Sequence, residues 1–502
     1  MKKSAKNLLD SIDALIRQGH GLAAAQHLKK IKGSSLNAEE RVQYAYLARR
    51  LSLPNLSLRL LNPIVRPTGR KKSEATPGER IEYAGALIYI GAMGEALDIL
   101  NSTQSDAPNR VLLRAFSHIG QWNYAAAIPL LREYIQLSNI THYQKLVGEA
   151  NLCEALNFLH DEAAAKTIEH VLQEAEAHSY TIVRGHLLMT KTSLLVLDGK
   201  IDEAKETIDQ AGAAYQSSDT IEAFFVRKWW AIVGLYEKGD TAKKLAPLQA
   251  IRKEAIGKWF QWETLRDCDF YEAICTHDPE IALYLYQGTP FESFRKRLLA
   301  YFPELKEKTA EPYVRKIPRD AFVQPPLEFF SGDSDLRRKL LESGKLNARL
   351  LSILSQDFYR PLRVPHLSSL LYPGEFYNPD SSAKRVREAI RRLRQWFSDE
   401  KVPLKIEEVS GDYRLAPERP VALLLPKAEL APVAQSPKLD LMRESEGTEM
   451  DFSVNDVCRV LGVSARTANR LIQEGIESGI LSRSGAGRAT RYAWAAIVKK
   501  AA

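Results

Sequence analysis

Residues 381–397 read SSAKRVREAIRRLRQWF. Six of these 17 residues are Lys or Arg, and Glu388 alone is acidic. Val386, Ile390, Leu393 and Phe397 are spaced four, three and four, which makes one stripe of an α-helix. Lys384, Arg387, Arg391 and Arg394 fall largely on the other side. Guanidinium forks on a rigid helix suit phosphate oxygens and guanine edges. Each phosphate they neutralise releases counterions. The chemistry on offer is recognition of a polyanion, nucleic acid first. The plain alternative is a basic face that is merely solvated.

A second set of such residues lies at 452–473. Ser453 can cap one helix and Ser464 the next. Gly462 marks a tight turn between them. Val457, Val460, Leu461, Val463, Ala468, Leu471 and Ile472 supply apolar packing. Arg466, Thr467, Asn469, Arg470 and Gln473 are left outward, with side chains suited to bases and phosphates. Residues 479–483 and 488–492 flank Ser484-Gly-Ala-Gly487 and read as a hairpin that carries Arg483, Arg488 and Arg491.

The elements around these residues point the same way. Residues 327–330 suit a short strand, 346–354 and 364–371 suit helices, and 405–409 with 413–415 suit a hairpin about Ser410-Gly-Asp412. This order resembles the OmpR/PhoB-type winged-helix DNA-binding domain over 326–417. The match is close at Val386, Ile390, Leu393-Arg394 and Phe397. It continues in Gly411-Asp412-Tyr413-Arg414-Leu415, where the family's form, Gly-x-Gly-Tyr-Arg-Leu, has a second glycine. The resemblance implies that helix 383–397 enters the major groove. Arg387 and Arg391 would then lie nearest the bases, Lys384 and Arg394 at phosphates, and Arg385 beside them. Residues 451–502 are similar to the winged helix-turn-helix domains of many bacterial regulators. Such domains bind DNA, dimerise or dock proteins, and these alternatives stay open.

Residues 1–302 differ. Apolar residues recur at helical spacing, as in Leu8, Leu9, Ile12, Leu15 and Ile16. Turns fall near Gly19, Ser52, Gly91, Gly120, His160, Gly199 and Gly239, at intervals of 29 to 40 residues. Helical hairpins repeated at roughly 34–45 residues mark an α-solenoid. Ala24, Ala96, Ala125, Ala165 and Ala204 sit five residues after turns, where small side chains let helices cross closely. The stretches 197–206 and 119–128 resemble tetratricopeptide repeats, which implies a peptide- or protein-binding surface. Phe224, Phe225, Trp229, Trp230 and Tyr236 can line such a surface or fill the core between repeats.

Charge follows the same division. Residues 336–420 carry 17 Lys/Arg against 11 Asp/Glu, and residues 451–502 carry eight against four, while residues 1–335 balance at 42 each. A polyanion is therefore expected at the C-terminal third. No phosphate loop, dinucleotide fingerprint, HExxH or GxSxG motif is present. The cysteines (153, 268, 275 and 458) have no zinc spacing, and the histidines are scattered, so no metal or cofactor is expected. No apolar run suits a membrane helix or a secretory signal.

These readings make the chain mainly α. An α-solenoid of TPR-like hairpins (1–302) leads through a proline-rich linker (303–325) to a winged helix (326–417). A flexible linker (418–450) then leads to a second winged helix (451–502). The expected function is a cytoplasmic, non-enzymatic transcription regulator of bacterial type. Its partners are double-stranded DNA, a protein or peptide at the repeats, and a second copy in a homodimer. The alternative is a scaffold whose winged helices dock proteins or RNA.

Overall fold

The computed structural model describes residues 5–17, 21–67, 73–215, 220–308, 312–319, 326–329, 346–372, 375–379, 381–425, 451–461, 464–477, 481–485 and 490–494. These are mainly helical, and the described strands all follow residue 312. Helices come in pairs. They are α1 (Ala5–Arg17) with α2 (Gly21–Lys29), α3 (Ala38–Arg50) with α4 (Pro54–Val65), α5 (Pro77–Tyr89) with α6 (Met93–Ser102), and α7 (Pro108–Ile119) with α8 (Tyr124–Ile135). Next are α9 (His142–Phe158) with α10 (Ala164–Ala177), α11 (Thr181–Leu197) with α12 (Ile201–Ala214), α13 (Ile221–Leu235) with α14 (Thr241–Glu254), and α15 (Glu263–Thr276) with α16 (Pro279–Gln287).

The pairs begin and turn for local reasons. Asn37, Thr76 and Thr141 form capping boxes with Glu40, Glu79 and Gln144. Pro54, Pro77, Pro108 and Pro279 open helices where an N–H would find no partner anyway. Within the pairs the chain reverses through left-handed residues at Ser52, Gly91, Trp122, His160, Gly199, Gly239 and His277. Five positions beyond four of these, Ser57, Ala96, Ala127 and Ala204 are fully buried. The Ser57 hydroxyl donates to the Ala45 carbonyl at 2.8 Å, which shows how closely α3 and α4 approach.

Ala24, Ala96 and Ala204 are buried as their spacing predicts, but Ala125 and Ala165 are exposed. In the fourth pair the left-handed residue is Trp122 and Gly120 is still helical, which moves the buried position to Ala127. In the fifth pair an extra turn, closed by the Ala163 N–H on the Asp161 carboxylate, brings Ala164 inward instead.

Many helices also touch the next but one, as α3 does α5, α9 does α11 and α13 does α15. The succession curls back on itself. Trp122 stacks on Phe291 at 5.6 Å and meets Phe294 of α17 (Glu292–Tyr301) edge-on at 5.3 Å. His160 lies 3.3 Å from the Tyr301 hydroxyl. At Trp122 and His160 the pairs therefore touch the chain's own later residues. A short helix, α18 (Leu305–Lys308), follows.

The sheets come next. β1 (Tyr313–Ile317) pairs antiparallel with β6 (Val421–Leu425), and β2 (Leu327–Glu328) joins β6 in parallel on its other side. Both β1 and β6 fall in stretches whose prolines suggest linkers. Pro312 and Pro318 bracket β1, and Pro420 and Pro426 bracket β6, so the prolines end these strands without interrupting them. The remainder of the second proposed linker, 426–450, lies outside the described residues.

Between β2 and β6 run α19 (Leu346–Gln356), β3 (Leu362–Arg363), α20 (Val364–Leu371), α21 (Ser381–Asp399), β4 (Leu404–Val409) and β5 (Asp412–Pro417). Their sheet has the order β3-β5-β4 and is antiparallel. The β4–β5 turn is two residues long, Ser410 and Gly411, both left-handed, as right-twisted hairpins prefer. Asp412, expected in the turn, is already in the strand. The last unit has α22 (Val454–Leu461), α23 (Ala465–Glu477), β7 (Leu481–Ser484) and β8 (Arg491–Trp494). Its core is Phe452, Val457, Ala468, Leu471, Ile472, Leu481 and Tyr492.

Candidate nucleic-acid interface

On α21 the stripe Val386, Ile390, Leu393 and Phe397 is buried against α19, α20 and the β4–β5 hairpin. Burial of this stripe fixes which face of α21 is turned out. Lys384, Arg385, Arg387, Arg391, Arg392 and Arg394 are exposed on it. They are not equally available. Arg391 makes a two-pronged pair with Glu388 at 2.7 and 2.9 Å, and Arg392 donates to the same carboxylate at 3.0 Å. Hydrogen bonds from these two arginines, Arg391 first, hold the Glu388 carboxyl pKa down at about 2. Solvent screens an exposed pair of this kind, so a phosphate can replace Glu388 at little cost.

Arg385 is paired with Glu375 and lies 3.8 Å over the Tyr372 ring. Arg394 sends two N–H groups to the Ile406 carbonyl of β4, at 2.7 and 3.2 Å. Both side chains tie α21 to its neighbours, a role that their position in sequence does not reveal. Arg387 stands beside Tyr413, whose hydroxyl donates to Glu408 at 3.1 Å.

In the last unit the Ser453 and Asp456 side chains cap α22 reciprocally. Ser464 accepts the Thr467 N–H at 3.3 Å at the start of α23. Asn469 folds back onto the Ala465 carbonyl at 2.8 Å. Arg470, Gln473 and Arg483 are exposed, and Arg491 lies 3.8 Å from Asp456. Arg488, Gly462, Val463 and the Arg466 side chain lie outside the described residues.

The unit that carries α21 is clasped by the helical pairs. After α19 the chain places Asp357 against Arg266 of α15, 2.8 Å apart, with Arg266 fully buried. Burial alone would lower the Arg266 pKa, but the Asp357 and Glu263 carboxylates outweigh it and hold the guanidinium charged. Asp357 also accepts the N–H groups of Tyr359 and Arg360, both at 3.0 Å. Tyr359 is buried in the core of the pairs, its hydroxyl on Asp269 at 2.8 Å. The Phe358 N–H donates to the Gly288 carbonyl at 3.1 Å, and its ring fills the space a side chain at Gly288 would need.

A second contact lies on earlier pairs. Tyr377, just before α21, is buried in the core formed by residues 45–113. Its N–H donates to Glu95 at 2.8 Å, and Arg66 lies 3.3 Å over Phe376. Arg363 reaches the Tyr89 carbonyl.

The five aromatics expected at a partner surface divide. Phe224 and Trp229 are buried, so core packing claims them. Phe225 and Tyr236 are half-buried against the same core. Trp230 lines a groove of about 730 Å³ between α13 and α14, with Arg227, Gly234, Lys244 and Pro247. Among the described residues, one group has the donor chemistry of a metal site, His142, Glu174 and His178. Its members are 32 and 4 residues apart in sequence, so no local motif announces it. Among the described residues, no helix is long and apolar enough to cross a membrane. No family model, curated protein or solved structure matches the chain.

Proposed function

We propose that this protein is a DNA-binding transcription regulator without enzymatic activity. The element order α19–β3–α20–α21–β4–β5 is that of a winged helix, with α21 as recognition helix, and α22–α23–β7–β8 is a second, smaller one. The preceding pairs are a TPR-like α-solenoid that holds the first winged helix in a set orientation. The carrying observation is α21, whose apolar stripe is buried and whose exposed face presents Lys384, Arg387 and Arg391. Protein or peptide binding at the solenoid, for which the Trp230 groove is available, then alters how the DNA modules are presented. Two tethered modules gain affinity through effective concentration.

The test is fluorescence anisotropy of the full chain on double-stranded DNA across salt. Binding should weaken steeply with salt. Replacing both Arg387 and Arg391 with Ala should reduce affinity at least ~10-fold, since a good base contact contributes ~1–3 kcal/mol. Glu388→Gln should strengthen it. Salt-independent or unchanged binding would refute the reading. A protein-interaction scaffold is the second reading, favoured by one observation: the first winged helix already uses Tyr359 and Tyr377 to dock protein, here its own helical pairs.

A further inference from the structure

We infer that His142, Glu174 and His178 form a binding site for a borderline divalent transition-metal ion such as Zn²⁺ or Co²⁺. His142 opens α9, Glu174 lies in the last turn of α10, and His178 is the residue that ends α10. One donor atom from each lies within 4.8 Å of the others. The His142 Nε2 to Glu174 Oε2 distance is 3.5 Å. Two ligands at ~2.1 Å from a tetrahedral ion stand ~3.4 Å apart. That edge of the site is therefore already at coordination spacing, and small side-chain rotations close the other two.

The histidine tautomer is also set. His178 Nδ1 lies 3.0 Å from the Glu174 main-chain carbonyl. A carbonyl only accepts, so Nδ1 is the donor there, and in the neutral ring Nε2 is then the atom with the lone pair. A ligand histidine that donates its other N–H to a backbone carbonyl is the usual supporting arrangement at metal sites. The His178 ring stacks on Tyr180 at 5.8 Å and faces the His142 ring at 4.1 Å, which restrains both. Two imidazoles and one carboxylate favour Zn²⁺, Co²⁺, Ni²⁺ or Cu²⁺ over Mg²⁺ or Ca²⁺. His142 and Glu174 are over 40% exposed, so an ion can enter from solvent.

The position gives the ion a role. α9 and α10 reverse at His160, which puts the start of α9 and the end of α10 at the open end of their hairpin. α11 starts three residues after His178. An ion here ties that open end together at the joint with the next pair.

The experiment uses the full chain without a histidine tag, titrated with CoCl₂ and then with ZnCl₂. One equivalent of Co²⁺ should bind with visible d–d absorption, and Zn²⁺ should displace it. His142→Ala and His178→Ala should each weaken binding at least ~10-fold, as even supporting residues cost 10–100-fold. Glu174→Gln should weaken it too. His170→Ala, on an exposed histidine of the same helix, should leave it unchanged. Circular dichroism of each variant should match the parent, since the altered side chains are largely on the surface. No saturable Co²⁺ binding in the parent, or equal binding by the His142 and His178 variants, would overturn the site.

Discussion

The two small C-terminal units both end in helix, helix and hairpin, yet they are held in different ways. The first, from α19 to β5, gives up two tyrosines to cores that are not its own, and it fixes an aspartate on a buried arginine 91 residues away. The second draws its hydrophobic cluster from residues 452–494 alone and caps its own first helix with Ser453. The difference teaches that similar modules can be either a built-in part of a larger body or a miniature fold reliant on local signals. A cluster as small as that of the second unit is marginal, so caps and turn residues carry a larger share of its stability.

The largest effect expected is at the clasp. Arg266→Met takes from the buried Asp357 carboxylate its closest cation, leaving Arg360 at 3.6 Å, and breaking a buried pair in this way typically costs ~3–5 kcal/mol. Denaturant unfolding should then show the first unit separating from the helical pairs, while the second unit keeps its midpoint. An unchanged single transition would break the comparison.

Acid should sharpen it. His366, on α20 beside Gly91, has its pKa lowered to about 4, chiefly by burial and then by Arg360. A folded pKa below the unfolded ~6.5 means the stabilisation is complete above pH 6.5 and is lost as pH falls toward 4. The loss approaches ~3 kcal/mol for the first unit. Residues 451–494 contain no histidine. Hydrogen exchange compared at pH 7 and 4.5 should therefore show 357–366 loosened by acid more than the second unit.

The smallest effect is Ser453→Ala. It removes a cap and should cost the second unit ~1 kcal/mol, read as a lower melting point for that unit with the clasp untouched.

Local signals were the legible part of this chain. The turns near Ser52, Gly91, His160, Gly199 and Gly239 coincide with left-handed residues, because a helix must be left by a residue that tolerates that conformation. The apolar stripe of α21 and the caps at Ser453 and Ser464 follow from spacing and side-chain chemistry. The turn at Trp122 did not show, since Gly120 two residues earlier is the more obvious breaker. The His277 turn carries no Gly, and the repeat spacing does not mark it. What the sequence hid is non-local. Strands β1 and β6 pair across more than 100 residues, and Arg266 with Asp357, or His142 with Glu174, have no periodicity to betray them. The fates of Arg385 and Arg394, tied to Glu375 and to β4, depend on tertiary neighbours that a helical wheel does not contain.

The stacking of Trp122 on Phe291 has a consequence for how the protein is made. At roughly 5–20 residues per second, the ribosome delivers Phe291 about 10–30 s after Trp122. During that interval Trp122, Tyr124 and Phe158 have left the tunnel with their covering helix still unmade. The nascent chain must carry this aromatic patch bare, and a chaperone that binds such surfaces has its longest opportunity there.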